Sequence, residues 1–366
     1  MAIANQNLDA DTNLQRYTQD LLSEMVRLQQ RSIAESSQRQ YKGTWQQWRT
    51  FCAHLGVSRW LPQRDPETQS LLLVVFAIHC WSGGNQHGRA SASTIQSKLC
   101  HIRWYHRAFA GFDPQLRPNH ALAIAGMRRT GPATRRRGTV TRQMLEWIIR
   151  HLDFKHPQHR VLAGAAILGF FFLLRSAEYL AVKGRRRIYT LQVRDVILQD
   201  ELGLQTSSLH TAVAVEITLR GQKNDQQGHG TKRVLSRSGH RALCPVLAGR
   251  LLTENARNLQ LRPEDPICSI KASTMLPAET MSKVLQAAAK ATGEDATLFS
   301  CHSLRRGGAT ALLSAGVDST AVMLHGRWKT DSYQRYTSYT NESGRHLAAQ
   351  MAFGVSSTVQ QAVPRQ

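Results

Sequence analysis

Between Asp113 and Glu146 the chain carries no acidic residue, and there the stretch MRRTGPATRRRGTVTRQ, residues 127–143, gathers Arg128, Arg129, Arg135, Arg136, Arg137 and Arg142 around a Gly-Pro pair. A segment so charged cannot be buried, and Gly-Pro interrupts helix and strand alike, so the chain must fold as two bodies on either side of it. We place the first body at residues 14–129, a basic interdomain linker at 130–139, the second body at 140–354 and a tail at 355–366. Flexibility alone would account for the Gly-Pro but not for six arginines. Their density points to a linker lying along a phosphate backbone.

The whole chain supports that direction. Its 366 residues hold 47 Lys and Arg against 25 Asp and Glu, a formal net charge of +22 that exceeds what solubility needs and implies a polyanionic partner. Basic residues occur along the whole length rather than on one amphipathic helix, which ranks nucleic acid above a membrane surface. Cys52, Cys80, Cys100, Cys244, Cys268 and Cys301 lie far apart with no C-x-x-C pair, so neither a zinc ribbon nor a disulfide framework is expected and the thiols should be reduced. The N-terminus MAIANQNLDADTNLQ lacks a basic-then-apolar signal, and the longest apolar run, VLAGAAILGFFFLL at 161–174, is too short for a membrane span and ends at Arg175. The expectation is a soluble intracellular protein found with DNA, in the nucleus if its source is eukaryotic and in the cytoplasm or nucleoid if bacterial, with no membrane contact.

Periodicity makes the first body helical. SSQRQYKGTWQQWRTFCAHLG repeats Tyr41, Trp45, Trp48, Cys52 and Leu55 at steps of three and four, with Ser36 or Ser37 placed to cap it. DPETQSLLLVVFAIHCWSGG offers Asp65 as N-cap, Pro66 at the first helical position and a stop at Gly83-Gly84. SASTIQSKLCHIRWYHRAFAG sets Ile95, Leu99, Ile102 and Phe109 on one side and leaves Lys98 and Arg103 outside as candidate DNA contacts. In the second body Thr141 caps a helix through MLEWIIRHL that continues into the apolar helix ending near Arg175. IYTLQVRDVIL, AVAVEITLR and KRVLSR then read as a small antiparallel sheet, and helical patterns return from Pro245 to about Gly354.

Within HSLRRGGATALL, residues 302–313, His302 and Arg305 stand three apart and share one helix face, and Gly307 and Gly308 one turn later would leave that face open to a bulky group such as a phosphate diester. Arg175 alone reads as well as a helix-terminal cation, Lys223 as a solvated hairpin lysine, His302 as a satisfied core histidine and Trp328 as a core aromatic. The ordered set carries more weight. LLRSAEYLAV with Arg175 and Glu178, a lysine between two strands at Lys223, HSLRR with His302 and Arg305, HGRW with Trp328 and then Tyr336 together resemble the tyrosine recombinase, or phage integrase, family. The likeness is close over the second body and general over the first, and the forms HSLRRGGATALL and GRWKTDSYQRY look nearest to recombinases of eukaryotic mobile elements such as Cryptons and DIRS-like elements.

The resemblance implies a mainly α fold with a small antiparallel sheet: a helical core-binding domain and a catalytic domain that clamp double-stranded DNA as a C shape, with four protomers on two duplexes. It implies metal-free cleavage without a cofactor. Tyr336 would attack the phosphodiester and form a 3′-phosphotyrosyl bond, Arg175 and Arg305 would hold the non-bridging oxygens, and His302 would assist proton transfer. Trp328 would give an indole N–H and a packing wall, Lys223 would protonate the departing 5′ oxygen and Glu178 would buttress the site. Tyr333, Tyr336 and Tyr339 compete for the nucleophile; the family sets its tyrosine about nine residues after a His/Trp position, and Tyr336, eight after Trp328, lies nearest. His325 reads as a helix-end residue. Leu347, Ala348 and Met351 form an apolar stripe on a C-terminal helix that, in the family, packs into a neighbouring protomer. The chain shows no D-D-E or H-x-H pattern for a metal pair and no G-x-x-x-x-G-K-[ST] loop. Two other functions stay open: a transposon-derived DNA-binding protein without chemistry, and a type IB topoisomerase, which the small helical first body fits less well.

Overall fold

The computed structural model describes residues 2–83, 90–131, 137–208, 210–221 and 230–338. Lys223, Arg135, Arg136, Tyr339 and the stripe of Leu347, Ala348 and Met351 lie outside the described residues. Contacts divide the chain into two units, 1–134 and 135–366.

The N-terminal unit is helical: α1 (Ala2–Arg31), α2 (Glu35–His54), α3 (Pro66–Trp81), α4 (Ala92–Phe109) and α5 (Pro118–Thr130). The Asp65 carboxylate accepts from the Thr68 amide and Pro66 opens α3, while Ser91 accepts from Thr94 at the start of α4, so local capping chemistry sets both starts. The helix expected to be capped by Ser36 or Ser37 starts earlier: Ala34 is the N-cap of α2 and no side chain bonds there. Trp48, Phe51, Leu73, Phe76, Ile95, Leu99 and Ile102 fill the core. Phe109, expected on the Ile95 face, is the last residue of α4 and is 55% exposed, its ring lying against Tyr105 and Trp104 outside the core.

The C-terminal unit starts with α6 (Arg142–His151), which Thr141 caps by accepting from the Met144 amide, and α7 (Pro157–Phe171). These are separate helices, and α7 stops four residues before Arg175. Leu173, at φ +50°, is left-handed and turns the chain out of the helix, so Arg175 is the N-cap of the next helix, α8 (Ser176–Tyr179). β1 (Val196–Gln199), β2 (Ala214–Leu219) and β3 (Thr231–Ser236) form an antiparallel sheet in that order, paired Val196 with Ile217 and Ala214 with Ser236. The sheet's buried side faces α9 (Pro245–Asn258), which packs on α7. A two-stranded hairpin, β4 (Ser269–Lys271) with β5 (Thr274–Met275), interrupts the region expected to be wholly helical. Then follow α10 (Ala278–Ala291), α11 (His302–Ser314), α12 (Ser319–Gly326) and a 3-10 helix at Asp331–Tyr336. Among the described residues no helix is long and apolar enough to cross a membrane; α7 is instead buried in its unit's core.

Candidate active site

Glu178 is the point from which the site is built. It is 1% exposed, and both its oxygens are engaged from two directions. Oε1 accepts from Arg175 Nη1 at 3.0 Å and from Arg327 Nη1 at 3.1 Å; Oε2 accepts from the Arg175 amide at 2.8 Å and from Arg327 Nη2 at 3.0 Å. Burial would raise this carboxyl's pKa, but Arg327 first and Arg175 second outweigh it and hold the group below the ordinary carboxylate range.

Arg305, in the first turn of α11, is fully buried. Its Nη1 donates to the Leu173 carbonyl and its Nη2 to the Gly326 carbonyl at 2.6 Å. Its guanidinium lies over the Trp328 ring at 4.1 Å from the centroid and 5.5 Å from that of Tyr336. Burial, with Arg175 and Arg327 adding repulsion, pushes its pKa down to about 9, which leaves it a cation at neutral pH. Its Nε is buried without a hydrogen-bond partner.

His302 opens α11 with its ring reaching solvent. The protein around it lowers its pKa, and the charges of Arg305, Arg175 and Arg137 lower it further, so the ring is neutral at pH 7 and able to take a proton. Gly307 and Gly308 act otherwise than expected. A Cβ at Gly307 would stand 2.1 Å from the Val140 carbonyl oxygen, and one at Gly308 2.1 Å from that of Phe170. They let α11 pack against backbone, and the close approach they allow is to the protein's own chain rather than to a ligand.

Trp328 packs with Leu173, Ala309 and Val322, forming a wall against which Tyr336 lies at 5.2 Å between centroids and Tyr333 at 6.4 Å. In the 3-10 helix residues three apart eclipse, which brings both tyrosines to the same wall. Tyr336 is half-buried and the one of the pair within cation-π reach of Arg305. His325 sits in the last turn of α12 and donates from Nε2 to the Phe171 carbonyl at 2.8 Å, in keeping with a helix-end role.

The structure thus brings Arg175, Glu178, His302, Arg305, Trp328 and Tyr336 together from α8, α11 and the segment after α12. The residue that sequence reasoning missed is Arg327. It stands nine residues before Tyr336, the spacing sought from Trp328, and it is buried at the left-handed C-cap of α12. That spacing was the available signal. Of the expected DNA contacts, Arg128, Arg129, Arg137 and Arg142 are exposed, with Arg128 donating to Gln96 and Arg142 facing Glu146. Lys98 donates to Gln47, and Arg103 makes a two-pronged bond to Asp113 at 2.9 and 2.8 Å that commits its fork inside the unit.

No family model matches the chain. Its sequence is 25% identical over 314 residues to an integrase/recombinase XerD homologue of Selenomonas ruminantium, covering 82% of this chain and 81% of that protein. The fold is shared with the XerH site-specific recombinase bound to palindromic difH substrate in a post-cleavage complex, at TM-score 0.50 and 14% identity over 78% of this chain and 70% of that one. It is shared also with the Tn1549 transposon integrase, residues 82–397, in complex with circular intermediate DNA, at TM-score 0.53 and 12% identity over 91% and 98%. In sequence along most of its length and in fold, the chain is thus similar to integrases and site-specific recombinases.

Proposed function

We propose that the chain is a site-specific DNA recombinase that cuts and rejoins duplex DNA through Tyr336, serving the integration or excision of a mobile element. The observation that carries this is the excess of fixed cations over carboxylate at one place: Arg175, Arg305 and Arg327 around Glu178 leave two net positive charges beside two tyrosines. An anion with oxygens on more than one side suits that charge, and a phosphodiester gathers negative charge on its non-bridging oxygens as it is attacked.

In the reaction the Tyr336 oxygen attacks phosphorus, its proton passing to neutral His302, and the bond to the 5′ oxygen breaks as that oxygen takes a proton from Lys223. Arg175 and Arg305 stabilise the charge that develops, as planar donors whose direction is fixed beforehand. The 3′-phosphotyrosyl ester keeps the energy of the broken diester. Attack by a 5′ hydroxyl, from the same duplex or from another, then restores a diester and frees Tyr336. Exposed Arg128, Arg129, Arg137 and Arg142, with Arg135 and Arg136, add contacts to the backbone that do not depend on sequence. Four protomers on two duplexes would exchange strands.

The test uses a duplex pool with a randomised core, enriched for binding to the full chain and nicked so that the cleaved end diffuses away. A covalent protein–DNA adduct and exchange of strands between two labelled duplexes are expected. Adduct with relaxation of supercoils but no exchange would make the chain a topoisomerase, and binding without adduct would make it a DNA-binding protein.

A further inference from the structure

Arg327 has no part in the reaction described above, yet it is as deeply placed as the residues that do. Its side chain is 4% exposed, and its Nη atoms are committed to both Glu178 oxygens and to the Leu173 carbonyl at 3.4 Å, while its Nε is buried without a hydrogen-bond partner. Its backbone is left-handed, φ +60° and ψ +40°, a conformation that a residue with a Cβ adopts at a cost and keeps when its surroundings hold it.

What it holds matters to both phosphate-directed arginines. Glu178 lies within bonding distance of Arg175, and a carboxylate facing one guanidinium alone would cancel its charge. Arg327 takes half of the carboxylate's bonds, two of four, and so leaves Arg175 a cation with respect to a third party. Arg305 is aimed by two carbonyls: that of Leu173, which Arg327 also engages, and that of Gly326, whose peptide bond leads into Arg327 itself. Leu173 is the other left-handed non-glycine residue at this place, so the two strained positions that frame Arg305 meet at the Arg327 side chain.

We propose that Arg327 is a positioning residue for the recombination site: it shares the Glu178 carboxylate so that Arg175 keeps its charge, and it fixes the two carbonyls that orient Arg305. The inference rests on the recombinase reading. Its mark is a charge balance, which a packing role would not show. Arg327→Met removes one cation of three and leaves the carboxylate to Arg175; adding Glu178→Gln removes that carboxylate and restores the net charge.

The experiment is single-turnover cleavage of the nicked, enriched duplex pool by the full chain. Arg327→Met should cleave about a hundredfold more slowly while binding the duplex within about threefold of wild type, since a buried carboxylate then faces the reaction unshared. Arg327→Met/Glu178→Gln should regain about tenfold or more, and Arg327→Lys, which keeps the charge, should lie between the wild type and the methionine variant. If Arg327→Met fails to fold in a thermal melt, the lysine and double variants carry the same comparison with the wild type. A double variant no faster than Arg327→Met, or slower than a folded Arg327→Lys by more than the methionine variant is, would reduce Arg327 to packing, and wild-type cleavage in Arg327→Met would remove it from the site. Absence of adduct in the wild type would instead overturn the recombinase reading.

Discussion

In the helical unit Arg103 meets Asp113 with two bonds, buried His106 bonds the Ile102 carbonyl through Nδ1 and the Leu61 amide through Nε2, and Thr44 bonds His101. In the C-terminal unit Arg175, Arg305 and Arg327 crowd one carboxylate, and Arg305 and Arg327 each keep a buried Nε without a hydrogen-bond partner. Pairing one for one is what a fold needs to close itself, because an unmatched buried charge costs more than a hydrogen bond returns. An excess of one sign is stable only beside something that supplies the other sign. The contrast separates pairs that close a fold from a cluster whose positive charge exceeds its carboxylate.

The sharpest way to break this contrast is Arg305→Lys. Lysine keeps a charge but loses the planar fork that reaches two carbonyls at once, so cleavage should lose about 2–4 kcal/mol of transition-state stabilisation while DNA binding barely changes. Cleavage at the wild-type rate would show that Arg305 belongs with the structural pairs. A second effect falls on binding: Arg135, Arg136 and Arg137 changed together to Gln should weaken all duplex sequences alike and reduce the slope of log affinity against log salt by about 0.9 per lost contact. Loss confined to one sequence would assign the run to base readout.

On the structural side, Arg103→Gln should lower stability by about 0.5–1 kcal/mol in a denaturant titration and leave cleavage unchanged, since the pair is about one-third exposed and partly screened. A tenfold fall in cleavage would place Arg103 on the DNA. The smallest effect concerns pH. His302 must be neutral to accept a proton, and its depressed pKa sets the acid limb of the cleavage profile below pH 6.5, with activity rising as pH increases through it. Arg137→Gln removes one of the charges that depress it, so the limb should move up toward the ordinary histidine value, more at low salt than at high. An unmoved limb at low salt would mean that another group controls it.

The helix starts at Asp65-Pro66 and Thr141 could be read from sequence because capping is a local bond between a side chain and an amide three residues on. Arg175 resisted the same reading. Its place as the start of a helix depends on the left-handed turn at Leu173, which hydrophobic periodicity does not encode. β4 and β5, at three and two residues, are too short to show alternation. Gly307 and Gly308 stood out in the sequence, but whether a glycine admits a ligand or a neighbouring backbone is decided by what packs there, and here that is Val140 and Phe170. Arg327 carries no local signature because its partner Glu178 is 149 residues away; its distance of nine from Tyr336 is the one mark it leaves in the sequence.

Tyr336, set against Trp328 and near Arg305, is the residue proposed to carry the covalent bond. Trapping the adduct on the nicked duplex pool, digesting the protein and sequencing the peptide that retains nucleotide tests it directly. The label is expected on Tyr336 and should disappear in Tyr336→Phe with duplex binding retained; a label on Tyr333, or an adduct that persists in Tyr336→Phe, would show that Tyr336 is not the nucleophile.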